Sequence, residues 1–148
     1  MKSRDLMTAK PFVLTPTDSI RRAAEVMRNI NVGAMPVVQS QTTPILAGII
    51  TDRDIAVRCV AEGHAPTCTV STHMTDSGLQ TAEPEDDAVE VIAKMERAQV
   101  RRIPVVDADY KLVGIIAQAD VARKLGPSDP KLVDEVLEKI SAPVASAG

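Results

Sequence analysis

Two short stretches carry residue types that could hold a polar ligand: Thr51-Asp52-Arg53-Asp54 and Ala117-Gln118-Ala119-Asp120. Each follows a Gly-Ile-Ile run, Gly48 to Ile50 and Gly114 to Ile116, and each leads into residues of helical character. A carboxylate at a helix start accepts hydrogen bonds from two adjacent hydroxyls, which suits the 2′ and 3′ oxygens of a ribose. Thr51 stands one turn earlier and can give its hydroxyl proton to a phosphate oxygen, while unpaired N–H groups at the helix start favour an anion. The same residues also have a simpler use. Thr and Asp at helix starts are caps, each contributing about 1 kcal/mol without any ligand. In the second stretch Asp120 keeps the carboxylate, but Ala117 has nothing to donate to phosphate. The first stretch is therefore expected to be competent, and the second weaker, altered or empty.

The doubling extends along nearly the whole chain. "DLMT" at 5–8 answers "THMT" at 72–75, "AMPVV" at 34–38 answers "RIPVV" at 102–106, and "LAGIITDRDIA" at 46–56 answers "LVGIIAQADVA" at 112–122. Fixed-period self-similarity of this kind marks a repeated supersecondary unit. In the first copy, Phe12 to Leu14 reads as a short extended run, and Thr17, Asp18 or Ser19 can cap the helix that follows. Ile20, Ala23, Ala24, Met27 and Ile30 fall on one helical face, with Gly33 as the expected breaker. Met35 to Val38 and Ile45 to Ile50 read as strands, and a helix from about Asp54 to Ala61 is expected to stop at Gly63. The second copy places Ala88, Ile92, Met95 and Ala98 on a helix, followed by strands Ile103 to Val106 and Leu112 to Ile116. The unit is β-α-β-β-α, an α+β fold. One copy cannot bury both faces of its sheet in some fifty residues, so the two are expected to pack together. We divide the chain into repeat 1 (1–66), repeat 2 (67–126) and a C-terminal segment (127–148). In that segment Leu132, Val133, Val136, Leu137 and Ile140 form a helical stripe with Asp129 as cap, and the tail from Ser141 reads as disordered.

Composition narrows the function. The 148 residues are 45% apolar and 25% charged, with one Phe, one Tyr and no Trp, so the core must be aliphatic. A net charge of −3 and a pI near 5.4 give no overall field for nucleic acid or an anionic membrane. Apolar runs are far below the roughly 18 residues a membrane span needs, and the N-terminus lacks a signal core, so the expectation is a cytoplasmic protein. Cys59, His64, Cys68 and His73 could each ligate zinc, but tight C-x-x-C pairing is missing, so no metal site is assigned. His64 and His73 are expected to be solvated in a connecting loop. Nucleophile elbow, P-loop and glycine fingerprint are absent, and the chain is read as non-catalytic.

Two copies of β-α-β-β-α, each preceded by Met-Thr and carrying an h-P-h-h strand and a G-h-h-x-x-x-D turn, resemble a tandem pair of cystathionine-β-synthase (CBS) domains over about residues 4–125. The phrases "TDRDIA" and "QVRRIPVVD" are similar to small stand-alone bacterial proteins of the hypoxic-response type. The resemblance implies two repeats packed about a pseudo-twofold axis, with clefts between them that hold AMP, ADP, ATP, S-adenosylmethionine or dinucleotides. It further implies a homodimer, an unknown effector protein and no required cofactor, with AMP as the first-choice ligand. It gives Thr51 the phosphate role and Asp54 and Asp120 the ribose role. The adenine slot it implies is lined by Phe12, Val13, Val32, Met35 and Pro36 in the first copy. In the second copy the lining is Leu79, Gln80, Val100, Ile103 and Pro104, all core residues by default. Arg101 and Arg102, where the first copy has Gly33 and Ala34, either reach a phosphate or stand solvated at a strand entrance, paired with Glu96 or Asp107. Arg53, inside the motif, is a further candidate, whereas Arg58 is expected to face solvent. The alternative is a dimeric scaffold with degenerate clefts and no ligand.

Overall fold

The computed structural model describes residues 1–141, without the side chains of Val136 and Ser141, so the expected disordered tail lies almost wholly outside the described residues. The elements in chain order are α1 (Ser3–Leu6), β1 (Thr8–Ala9), α2 (Ile20–Ile30), β2 (Ala34–Val38), β3 (Leu46–Thr51), α3 (Asp52–Asp54) and a π-helix (Ile55–Val60). There follow α4 (Val70–His73), α5 (Ala88–Ala98), β4 (Arg102–Val106), β5 (Leu112–Ala117), α6 (Gln118–Leu125) and α7 (Pro130–Ser141). The expected two β-α-β-β-α repeats of an α+β fold are present. The described chain forms two compact units, 12–79 with 109–112, and 1–11 with 80–108 and 113–141.

In the first unit β2 and β3 pair antiparallel, with Pro36 opposite Ile49 and a register shift between Val37 and Val38. The expected first strand contributes one parallel bridge, Leu14 to Val37. Pro36 is tolerated inside this sheet because only its carbonyl is needed: it accepts Leu14 N–H at 3.1 Å. The far edge is closed by Thr75, which exchanges both backbone hydrogen bonds with Ile49 at 2.8 and 2.9 Å. The second unit repeats this plan. β5 lies between β1 and β4, Thr8 pairs with Ile115, and Ala82 bridges Val105 while its N–H reaches Pro104 at 3.0 Å. Each Met-Thr segment thus closes a sheet, but the segment before repeat 1 closes the second unit and the one between the repeats closes the first.

The cores are aliphatic, as composition required. Leu14, Ile20, Ala23, Met27, Met35, Val37, Ile50, Cys59 and Val70 form one buried cluster. Leu6, Ala82, Val91, Ile92, Met95, Ile103, Val105, Ile116, Val121 and Ile140 belong to the other. Two helical positions differ from expectation: Ala24 and Ala98 are exposed, and Val26 and Val91 take their place towards the core. The apolar arc is centred about one residue away from the assignment by periodicity. Gly33 does not end α2. Asn31 does, in the left-handed region at φ 55°, with its N–H on the Met27 carbonyl, and Gln99 does the same for α5 at φ 52°. Asparagine tolerates that conformation better than most residues. Ser19 is the α2 cap, accepting Arg22 N–H at 3.0 Å. The helix expected from Asp54 starts earlier, at Asp52, and from Ile55 winds as a π-helix, with Ala61 N–H on the Ala56 carbonyl at 2.9 Å. Asp129 caps α7 through Leu132 N–H at 3.1 Å, and α7 packs on α5 and α6 in its own unit with Val133 and Ile140 buried.

Candidate functional site

The Thr51–Asp54 turn is built by the end of β3 and the start of α3. Thr51 Oγ1 accepts Asp54 N–H at 3.0 Å, and Asp54 Oδ2 accepts Thr51 N–H at 3.0 Å, a reciprocal capping box. The capping use foreseen for these residues is therefore real, and it leaves specific capacity over. With its oxygen accepting, the Thr51 hydroxyl still has its proton to give. Among the described residues Asp54 Oδ1 faces only the Arg58 guanidinium, at an ion-pair distance of 3.7 Å, and the side chain keeps 15% of its exposure. A donor and an acceptor are thus held rigidly one turn apart. Gly33 brings the chain in from the other side, its carbonyl accepting Asp52 N–H at 2.9 Å. A Cβ at Gly33 would stand 3.1 Å from Asp52 Oδ2. Arg53 is exposed, and its N–H is held by Asp52 Oδ1 at 2.8 Å.

The second turn has the same backbone and different chemistry. Asp120 Oδ2 accepts Ala117 N–H at 2.8 Å, whereas Ala117 supplies no oxygen to Asp120 N–H. Asp120 Oδ1 is taken by Arg123 Nη2 at 2.8 Å, and the carboxylate is buried, 8% exposed against 66% for its partner. Where Asp54 offers an oxygen with no close hydrogen bond, Asp120 has both oxygens engaged.

Of the residues named for the clefts, nine fall in the first unit and seven, the half-buried Val100 among them, in the second. In the first, Phe12 is exposed, Val13, Val32 and Leu79 are half-buried, and Met35 and Pro36 are buried in the sheet beside Thr51, Arg53 and Asp54. Gln80, Arg101, Arg102, Ile103, Pro104 and Asp120 belong to the second unit. There Ile103 and Pro104 are buried, Gln80 and Arg101 exposed, and Arg102 half-buried, while the Arg101 carbonyl accepts Gln118 N–H at 2.8 Å at the start of α6. Glu96 pairs with Lys139 at 3.7 Å.

One expectation is corrected and one is extended. His73 is not solvated; at 2% exposure it is buried, because it ends the short helix α4 that seats the Met74–Thr75 edge. Arg58 is exposed yet not idle, since it faces Asp54 and donates to the His73 carbonyl at 3.4 Å. The signal for His73 lay in the repeat itself: it occupies the place of Leu6 in "DLMT". Cys59 is buried, with its thiol directed at the His64 and Ala65 carbonyls, 3.6 and 3.8 Å away. Among the described residues no three His, Cys, Asp or Glu side chains are placed to share one ion, and no helix is long and apolar enough to cross a membrane.

Comparison with known proteins adds an independent line. The CBS domain family model matches residues 4–60 and 70–127. Hypoxic response protein 1 of Mycobacterium tuberculosis is 30% identical over 145 residues, 98% of this chain and 97% of that one. The solved structure of Hypoxic Response Protein I with two coordinated zinc ions has a TM-score of 0.74 at 31% identity, covering 83% of this chain and 98% of that chain. The CBS domain pair of protein MJ0100, in complex with 5-methylthioadenosine and S-adenosyl-L-methionine, has a TM-score of 0.75 at 28% identity over 86% of this chain and 98% of that chain.

Proposed function

Since the chain belongs to the CBS-domain family and carries the domain twice, we propose that it is a non-catalytic regulatory module that binds an adenosine nucleotide at the Thr51–Asp54 turn. AMP is the first choice, followed by ATP, ADP or NAD. The observation that carries this reading is the capacity left after capping: a hydroxyl proton on Thr51 and a carboxylate oxygen on Asp54, fixed by their own reciprocal bonds. The oxygen suits a ribose hydroxyl and the proton suits a phosphate, which favours a phosphorylated ligand over a bare nucleoside. The similar MJ0100 domain pair holds two adenosine compounds, which supports the ligand class. Arg53, Phe12 and Val13, exposed or half-buried in the same unit, are the further side chains assigned to such a ligand. The Asp120 turn is the weaker site, its carboxylate already satisfied by Arg123.

The module works as a homodimer in the cytoplasm and passes ligand occupancy to a separate effector protein. Exposed Val57 and Val60 on the π-helix give the first unit an apolar face suited to self-association, and both cysteines are free thiols, as suits a reducing compartment.

The test is a thermal-shift and calorimetric titration of nucleotide-stripped protein with AMP, ADP, ATP, NAD and S-adenosylmethionine, with Asp54→Asn and Asp120→Asn alongside. Asparagine keeps one acceptor for the cap and removes the charge. AMP at 100 times its dissociation constant should stabilise the wild type by about 2.7 kcal/mol. That gain should vanish in Asp54→Asn and persist in Asp120→Asn. A well-folded dimer indifferent to all five compounds would instead be a scaffold.

A further inference from the structure

The tetrapeptides Asp5-Leu6-Met7-Thr8 and Thr72-His73-Met74-Thr75 close equivalent sheet edges in the two units, so each residue of one has a counterpart in the other. At the second position the counterparts differ in kind. Leu6 is wholly buried in the apolar core of its unit, and His73 is almost as fully enclosed in the other. Its Nε2 has no hydrogen-bond partner among the described residues. An imidazole in a slot that its twin fills with leucine is costly when neutral and far more so when charged.

The groups set against His73 sharpen the effect. From the preceding loop, the His64 ring stands 5.2 Å away, tilted by 32°. From the π-helix, the Arg58 guanidinium donates to the His73 carbonyl, and the Cys59 thiol beside it is directed at loop carbonyls. No carboxylate pairs with His73 among the described residues, and Asp54 faces Arg58 instead. Burial, then the neighbouring His64 and Arg58 charges, hold the ring's pKa below its ordinary value.

We propose that His73 is an acid-operated latch on the Met74–Thr75 edge of the first unit: neutral, it seats that segment; protonated, it unseats it. An imidazolium cannot stay dry against a guanidinium and a second imidazole with no counter-charge. Relief comes from lifting the short helix α4, which draws Met74 off Gly48 and Thr75 off Ile49. Ile49 stands two residues before Thr51, and Arg58 links His73 to Asp54. Acid therefore loosens the turn assigned to the nucleotide. This last consequence rests on the reading of Thr51 and Asp54 given above; the latch does not.

Native-state hydrogen exchange on the full, ligand-free chain in EDTA, from pH 7 to pH 5, tests it with an internal control. Protection at the Ile49 and Thr75 amides should fall by about tenfold or more, relative to the Thr8–Ile115 edge that Leu6 holds. His73→Leu, which installs the residue its twin already uses, should abolish that difference. Equal behaviour of the two edges in the wild type overturns the latch, as does an unchanged acid response in His73→Leu. If that variant fails to fold, the two wild-type edges decide alone. AMP titrations at both pH values separate the two readings. Affinity lost with acid in the wild type, but not in His73→Leu, ties the latch to the nucleotide turn. AMP failing to bind at any pH overturns the nucleotide reading and leaves the edges to decide the latch.

Discussion

The sulfur of Met74 lies 2.9 Å from the point where a Cβ on Gly48 would stand, and the Thr75 carbonyl oxygen is closer still, at 2.7 Å. The same relation recurs between Met7 and Gly114. The Met-Thr dipeptide and the glycine of Gly-Ile-Ile are repeated together because each Met-Thr segment lies along its sheet edge where a side chain on that glycine would block it.

Gly48→Ala should therefore destabilise the protein by about 1–3 kcal/mol, as overpacking does. Gly114→Ala should cost less, since the atoms it meets are all on the flexible Met7 side chain, whereas Gly48 faces backbone. Denaturant midpoints of the two variants measure the difference. Equal losses would show that the Thr75 carbonyl yields as easily as a methionine.

Thr51→Ala writes the second copy's chemistry into the first. It removes the oxygen that holds Asp54 N–H, and stability should fall by about 1 kcal/mol. On the proposed function it also weakens phosphate-bearing ligands more than nucleosides. Thr51→Ser should restore both, as read by chemical denaturation and by calorimetry.

Lys124 reaches from α6 to the Leu6 and Asp5 carbonyls at 3.0 and 3.1 Å, tying the N-terminal segment to its unit. Lys124→Met keeps the stem and loses these charged donors. Stability should drop by about 1–2 kcal/mol, with hydrogen exchange accelerated at the Thr8–Ile115 edge and unchanged at Thr75.

The acid dependence of stability has a definite sign. A base whose pKa is lowered on folding binds fewer protons in the native state than in the unfolded one. Stability then rises with pH through that window and is fully present above the unfolded value of about 6.5. His73 is such a group. The melting temperature of the wild type should fall as pH drops below 6.5, and that of His73→Leu should fall less. A melting temperature rising with acid in this range would contradict the burial of a neutral ring.

How much of this could be read from the chain follows from the range of each interaction. Helices α2 and α5 and the paired strands were legible because their apolar positions recur at local periods, and the Thr51–Asp54 cap is completed within four residues. The helix ends were less so. Asn31 and Gln99 take the left-handed conformation normally signalled by glycine, so the nearby Gly33 drew the assignment. The π-winding after Asp54 has no compositional mark. The partners of the Met-Thr segments lie 26 to over 100 residues away, beyond any local pattern. His73 was misplaced for a different reason. As a residue type it belongs in solvent, and only its alignment with Leu6 shows that its position is a core position.

The crossed closing of the two sheets bears on how such a protein can be inherited. A gene fragment cut between the repeats would encode one β-α-β-β-α motif together with the edge segment that belongs to the other sheet. The smallest transferable module is thus the doubled sequence with its leading Met-Thr, and a copy that left that leader behind would keep the first sheet closed and leave the second with an open edge.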